Sequence, residues 1–256
     1  PNNLSWEELI NNIKNLKDEN VNIAIVGKYV KLEDSYLSIA ESIKHGGFAN
    51  GCKVHIDFID CEKVTKENAK EMLGKYNGVF GNRGIEGKIA TIQYVRENNI
   101  PFLGICLGMQ MAVVEFARDV LGYKDANSEE FDEASTCKVI HIMEDQIHIA
   151  NKGGTMRLGA YPCNILKNTL AEEVYKTNKI SERHRHRFEY NNKYREEMEK
   201  AGLICSGLSP DGNLVEIVEL KSHPYFIASQ FHPEFKSRPD KPHPLFTKLI
   251  KATLLN

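Results

Sequence analysis

The sequence predicts an α/β fold with a mixed, mostly parallel central sheet and helices on both faces. Three observations carry this. Over the first half, short apolar β-prone runs alternate with segments of helical length, the order that builds parallel strands joined by crossover helices. Glycines and asparagines punctuate the junctions. In the second half the pattern turns β-rich, with an Asp211-Gly212 turn between two apolar runs, which marks an antiparallel hairpin.

Residues 1–20 place Leu4, Trp6, Leu9, Ile10, Ile13 and Leu16 at helical spacing, an amphipathic helix. "VNIAIVG" (21–27) reads as a buried parallel strand. "EDSYLSIAESIKHGG" (33–47) reads as a helix, with Asp34 as its cap. "KVHIDFID" (53–60) alternates as a strand does. "TKENAKEMLGKY" (65–76) is helical, "NGVF" (77–80) a very short strand, and "EGKIATIQYVRENN" (86–99) a helix. "PFLGI" (101–105) is a strand and "GMQMAVVEFARDVLG" (108–122) a helix. Residues 123–180 read as a polar, irregular insertion. "SERHRHRFEY" (181–190) is a strand with alternating faces. The hairpin at 203–220, a strand at 225–232 and a closing helix at 243–255 complete the chain.

The chain has 256 residues, 41% hydrophobic and 27% charged, enough to bury a core without metal or disulfide staples. A net charge of −2 gives no reason to expect nucleic acid or an anionic membrane as partner. No apolar run approaches the roughly 20 residues that span a bilayer. The polar start, "PNNLSWEELI", has no secretory pattern, and its first residue, Pro, points to a processed or excised form. The six cysteines have neither CxxC nor zinc-finger spacing. Reduced thiols and a cytoplasmic location are the expectation.

One cysteine stands apart. "GICLG" (104–108) puts Cys106 between an apolar strand and a helix, flanked by Gly104 and Gly108. This is the nucleophile-elbow pattern with Cys in place of Ser. At a helix N-terminus, unpaired N–H groups and the helix dipole favour the thiolate, and the Leu107 N–H can donate to an oxyanion. A small buried core cysteine is the competing reading. A nucleophile needs a base, and the base an orienting group. "QFHPEF" (230–235) supplies His232 and Glu234, two apart at the end of an apolar strand. On an extended backbone both side chains share a face, so the carboxylate can hold the imidazole in one tautomer. A surface turn is the alternative for that tripeptide alone. In "RHRHR" (183–187), strand geometry puts Arg183, Arg185 and Arg187 on one face and His184 and His186 on the other. Two histidines without a third ligand make a weak metal site, so no metal is expected. The arginines are expected to face an anion.

"PFLGICLGMQ" and "QFHPEF" together resemble the class I glutamine amidotransferases. "IAIVGKYVKLEDSYLSIAESIKHGG", "FGNRGIEGKI", "GGTMRLG", "ERHRHRFEYN" and "HPEFKSRP" are similar to the glutaminase domain of the CTP synthases. The resemblance implies a three-layer glutamine amidotransferase fold over 21–256, with 1–20 as an interdomain linker helix. It implies hydrolysis of L-glutamine by a Cys106–His232–Glu234 triad through a γ-glutamyl thioester. Leu107, Gly108, Met109 and Gln110 would line the glutamine site. Glu130, with Glu129 as the alternative, would hold the substrate α-amino group, and Arg187 would meet the substrate. The ammonia would aminate UTP in an N-terminal synthetase domain that uses ATP and Mg²⁺; this chain has no P-loop pattern, so no cofactor is expected here. GTP would act as an allosteric effector through the "GNRGIEGK" loop, where Arg83 and Lys88 could meet phosphates. The full-length form would be a homo-oligomer.

One stretch departs from the family pattern. Aligned backwards from Cys106, Phe80 and Gly81 match a family Phe-Gly at the site, but about five residues before them are absent. Val79 stands where the family has the glycine that supplies a second oxyanion N–H. Either those residues are missing from the chain as given, or the oxyanion hole is damaged. A γ-glutamyl peptidase-type cysteine hydrolase, or a non-catalytic regulatory or assembly module, are the alternative functions.

Overall fold

A computed structural model describes residues 6–28, 30, 32–81, 85–143 and 156–255. The chain divides into two compact units, Pro1–Leu103 with Pro233–Asn256, and Gly104–His232.

In the first unit, α1 (Trp6–Lys14) leads into β1 (Lys17–Gly27). The helix is shorter than the 1–20 its periodicity predicts, because the chain is already extended at Lys17, whose N–H donates to the Gly51 carbonyl. Residues 17–20, assigned to the linker on sequence, thus belong to a strand. β1 lies between β2 (Cys52–Asp60) and β3 (Gly78–Gly81), parallel to both. Ile23, Ala24, Ile25 and Val26 are fully buried, as a central parallel strand requires. Between β1 and β2, Glu33–Tyr36 form a 3-10 turn and α2 runs from Leu37 to Asn50. Asp34 caps nothing, because the 3-10 turn places it inside a helical segment; Leu32 and Tyr36 occupy the two N-cap positions without side-chain bonds.

α3 (Ala69–Leu73), α4 (Glu86–Glu97) and the first residues of β4 (Phe102–Ile105) follow, and α8 (Pro244–Thr253) closes the unit. α8 opens on a His243 cap, whose ring accepts the Leu245 N–H, with Pro244 in the first turn. It packs on α2 so closely that a Cβ at Gly46 would lie 2.7 Å from the Phe246 carbonyl oxygen. Of the "GNRGIEGK" loop, residues 82–84, Arg83 among them, lie outside the described residues; Lys88, expected to meet phosphates, is instead fully buried in α4.

The second unit begins as the chain leaves β4. α5 (Leu107–Asp119) is buried on nearly every side, from Gly108 to Ala117. Residues 123–180, read as irregular, are largely ordered here. β5 (Ala126–Ser128) pairs in parallel with β6 (Cys137–Ile142), and β6 pairs antiparallel with β9 (Phe188–Tyr190). β7 (Arg157–Ile165) and α6 (Leu170–Tyr175) come from the same stretch. Gly159 and Pro162 interrupt the apolar run of β7, and α6 is held by a buried acid from elsewhere. That acid is Glu219, which accepts the N–H groups of Leu170 and Ala171 at 2.7 and 2.9 Å. The remaining strands run antiparallel in the order β12 (Phe226–Ser229), β11 (Val215–Leu220), β10 (Leu203–Leu208), β7, β8 (Lys179–His186). α7 (Arg195–Ala201) precedes β10 and ends on Gly202, whose φ of 110° suits glycine. The first unit's described pairings are parallel, the second unit's are antiparallel apart from β5 with β6, and this gives the expected mixed character. Among the described residues no helix is long and apolar enough to cross a membrane.

Gly87 marks the tightest packing: a Cβ there would stand 1.7 Å from the Cys61 carbonyl oxygen. Backbone must move to admit a methyl, so Gly87→Ala is expected to cost about 1–3 kcal/mol, read as a lowered urea midpoint with unchanged m-value.

Candidate active site

The second unit brings the catalytic candidates Cys106 and His232 to one strand. Cys106 occupies the bend between β4 and α5 with φ 54° and ψ −106°, a backbone that a non-glycine residue adopts only where its surroundings enforce it. Those surroundings are specific. The Cys106 N–H donates to the Ser229 carbonyl at 2.7 Å, and the Cys106 carbonyl accepts from Met109 and Gln110 at 3.0 and 3.2 Å, starting α5. Gly104 permits the bend: a Cβ would meet Ala228 Cβ at 2.8 Å and the Gly108 backbone at 3.0 Å. Strand and helix therefore approach as an elbow requires. Cys106 is half-buried, whereas the other five cysteines are buried.

The thiol rests against the end of β8 and against β12. Cys106 Sγ lies 3.9 Å from the Arg185 carbonyl, to which a thiol donates, and 3.7 Å from Gln230 Nε2, which donates to sulfur. His232 is tied to the same strand, its N–H donating to the Arg183 carbonyl at 2.8 Å. Two residues along a strand separate these anchors, about 7 Å. His232 is half-exposed. The extended backbone expected after it is not observed: Pro233–Lys236 form a 3-10 turn. Alternation therefore does not govern where Glu234 points, because proline's fixed φ turns the chain. Glu234 is buried.

Leu107, Gly108, Met109 and Gln110 form the first turn of α5, as expected. The Gln110 amide is buried and spends both its N–H bonds, on the Phe188 carbonyl at 3.1 Å and on Gln230 Oε1 at 3.2 Å. The choice between Glu129 and Glu130 is sharpened by their surroundings. Glu129 accepts from Ile142 N–H and Lys138 Nζ at 2.9 and 3.0 Å, and these bonds lower its pKa. Glu130 has its carboxyl raised by desolvation, against the pull of the Arg187 guanidinium. Glu130 thus feels the Arg187 charge, and Glu129 is committed to β6. Phe80 and Gly81 sit in the first unit, buried inside β3 and registered with Ile25 and Val26. The Val79 N–H is bonded to the Pro101 carbonyl at 2.8 Å.

β8 divides its side chains as the sequence predicts: Arg183 and Arg185 are exposed, and His184 and His186 are buried. Behind the histidines stand two residues that the sequence reading missed, Glu216 of β11 and Arg157 of β7. Arg157 Nη1 donates to Glu216 Oε1 at 2.6 Å, and its guanidinium lies over the Tyr161 ring. An acid in the apolar run "LVEIVEL" was the available signal. Among the described residues His184, His186 and Glu216 form the group that could hold a metal ion, their donors within 4.8 Å of one another. The histidines bond each other at 3.0 Å, and the Arg157 charge opposes a cation at Glu216. Burial pushes His184 down to about 2 and His186 down to about 3, with Arg157 adding to both. Burial pushes Glu216 up to about 7, against Arg157. A separate cavity of about 530 Å³ is lined by Arg157, Tyr161, Met143, Met156 and Leu214 among others; Cys106 and His232 do not line it.

The family model for class-I glutamine amidotransferase matches residues 31–252, and the chain belongs to that family. Within it, the chain is similar to the glutaminase part of CTP synthase. It is 54% identical to CTP synthase of Clostridium beijerinckii over 98% of this chain and 48% of that protein. It is 55% identical to that of Fibrobacter succinogenes over 97% of this chain and 45% of that one. The chain spans about half the length of these curated relatives. The solved glutaminase domain of Trypanosoma brucei CTPS, with bound acivicin, superposes with a TM-score of 0.85 at 38% identity, covering 93% of this chain and 95% of that one. The fold is therefore the class I glutamine amidotransferase α/β fold, and the chain is an enzyme domain of that class.

Because His184 and His186 are neutral in the fold, each binds a proton only after unfolding below about pH 6.5. Their contribution to stability is present above that pH and declines as pH falls. Neither ring should titrate between pH 8 and 5 by NMR, and replacing both with Leu should flatten this part of the acid loss in urea midpoint.

Proposed function

We propose that this chain hydrolyses the side-chain amide of L-glutamine. The observation that supports it most is the strained Cys106 at the N-terminus of α5, flanked by a donor from Gln230. Cys106 sulfur attacks the amide carbon. The C–N bond breaks, and ammonia leaves with a proton relayed by His232, which had taken it from the thiol. The resulting γ-glutamyl thioester is cleaved by water, whose proton returns through His232 to the sulfur. Glu234 orients His232. The oxyanion draws on the Leu107 N–H at the open end of α5. Glu130 holds the α-amino group and Arg187 the α-carboxylate, which a guanidinium can grip through two bonds. The ammonia serves ATP-dependent amination of UTP to CTP by a synthetase domain on another part of the enzyme, with GTP as activator. That extension rests on relatives named CTP synthase and about twice this chain's length.

A second reading is favoured by one observation. Val79, which the family resemblance aligns with the second oxyanion donor, has its N–H bonded to the Pro101 carbonyl. On that reading the thiol is activated but turnover is slow, and the domain serves regulation or assembly. Labelling with an electrophilic glutamine analogue separates the two. The glutaminase reading expects stoichiometric modification at Cys106, blocked by free glutamine and abolished by Cys106→Ala, together with ammonia release. Labelling without ammonia release, in the presence of GTP and the synthetase domain, favours the second. No labelling in folded protein overturns both.

The commitment of Glu129 to β6, which leaves Glu130 as the candidate, gives a further expectation. Glu130→Gln should raise KM for glutamine about tenfold or more, the loss of a charged hydrogen bond, while Glu129→Gln should leave KM within about twofold. Equal effects would remove the assignment.

A further inference from the structure

The donor and acceptor roles behind Cys106 can be assigned from one end. The Phe188 carbonyl is an acceptor and nothing else. His186 Nδ1 lies 3.0 Å from it, so the proton of this neutral ring is on Nδ1. His186 Nε2 is then an acceptor, and His184 Nδ1, 3.0 Å away, carries the other proton. His184 Nδ1 also lies 3.5 Å from Glu216 Oε2, which favours a proton at that nitrogen. His184 Nε2 is consequently a bare lone pair, and it is buried without a hydrogen-bond partner. A metal on His184 Nδ1 would instead leave a buried N–H unpaired at Nε2, the costlier arrangement.

The same carbonyl fixes the other direction. Phe188 O and Gln230 Oε1 take both N–H bonds of the Gln110 amide. Gln110 therefore cannot be flipped, and neither can Gln230, whose Oε1 must accept. Gln230 Nε2 is thereby turned toward Cys106 Sγ. Gln230 is 1% exposed, so water does not compete for its amide. The Gln230 main-chain N–H donates to the Glu216 carbonyl at 2.8 Å, which ties the residue to the strand carrying the buried acid.

We propose that Gln230 stabilises the Cys106 thiolate by a hydrogen bond from Nε2, and that His186, held by His184, is a positioning residue that fixes the place of the Phe188 carbonyl, the acceptor that orients the Gln110 amide and through it that of Gln230. This rests on reading Cys106 as the nucleophile. Gln230 lies two residues before His232, just past the end of β12, and the relay would let this one segment present both the base and the thiolate donor.

The test is the second-order rate of iodoacetamide alkylation at Cys106, at one fixed pH, in the whole chain. Gln230→Met keeps the shape and removes the donor; it should slow alkylation about tenfold, the scale of a hydrogen bond to a charged group. His186→Leu should slow it in the same direction, and His186→Asn, which keeps a donor toward Phe188 O, should recover most of the rate. Unchanged alkylation in folded Gln230→Met would overturn the proposal, as would equal rates for His186→Leu and His186→Asn. Independently of any variant, ¹⁵N-resolved imidazole spectra of the unmodified protein should show His184 and His186 as Nδ1–H tautomers; an Nε2–H form of His186 would overturn the relay. Failure of the nucleophile reading shows separately, as glutamine hydrolysis surviving Cys106→Ala.

Discussion

The site depends on one strained residue. Cys106 holds a left-handed backbone conformation that costs on the order of 1–3 kcal/mol and persists only because its neighbours leave no alternative. Its N–H is taken by Ser229 and its carbonyl by the first turn of α5, and the absence of a Cβ at Gly104 lets strand and helix close on each other. Relaxing the bend would break a hydrogen bond to β12 and the start of a buried helix together. The strain has a use. It turns a side chain that would otherwise enter the core, as Cys163 and Cys205 do, toward the end of the sheet. Burial raises the pKa of those two thiols, which keeps them inert.

β8 is the second organising element, because it works on three sides. Its backbone carbonyls at 183 and 185 meet His232 and Cys106. Its outward arginines remain in solvent. Its inward histidines join Glu216 and Arg157 in a buried polar cluster. Such clusters are expensive when incompletely satisfied, and a buried ion pair gives little net stability over apolar packing. Its value here is orientation. A hydrogen-bonded row with a fixed direction places the β8 backbone and the Gln110 amide more narrowly than aliphatic contacts would.

Much of this was legible in the sequence, and each failure has a physical cause. Period and punctuation found β1, β2, β3, β4, α2, α4, α5, α8 and the β10–β11 hairpin, because these bury regular apolar faces. The alternation in "RHRHR" assigned Arg183 to His186 correctly, but the single strand expected over 181–190 breaks at Arg187, which is half-buried between β8 and β9. β5 escaped because it is three residues long, β7 because Gly159 and Pro162 interrupt it, and α6 because its first N–H groups are satisfied by distant Glu219, of which local pattern carries no record. Glu216 and Gln230 escaped for the last of these reasons, although each is a polar residue in an apolar run. The extended His-Pro-Glu geometry failed because a proline turned the chain.

The oxyanion of the proposed reaction needs donors of its own. A helix N-terminus offers unpaired N–H groups by construction, and Leu107 is placed to use one. A tetrahedral oxyanion is usually shared by two donors, and losing one costs roughly 10²–10³ in rate. Val79 gives its N–H to Pro101 and so cannot donate without breaking the β3 ladder. On the proposed reading, thiolate activation and oxyanion stabilisation are separable. The proposed Gln230 relay would act on the ground-state nucleophile alone. Acylation and hydrolysis both pass through the oxyanion and feel its donors twice. A chain with this wiring would keep a reactive thiol even where turnover waits on a donor from outside residues 78–81.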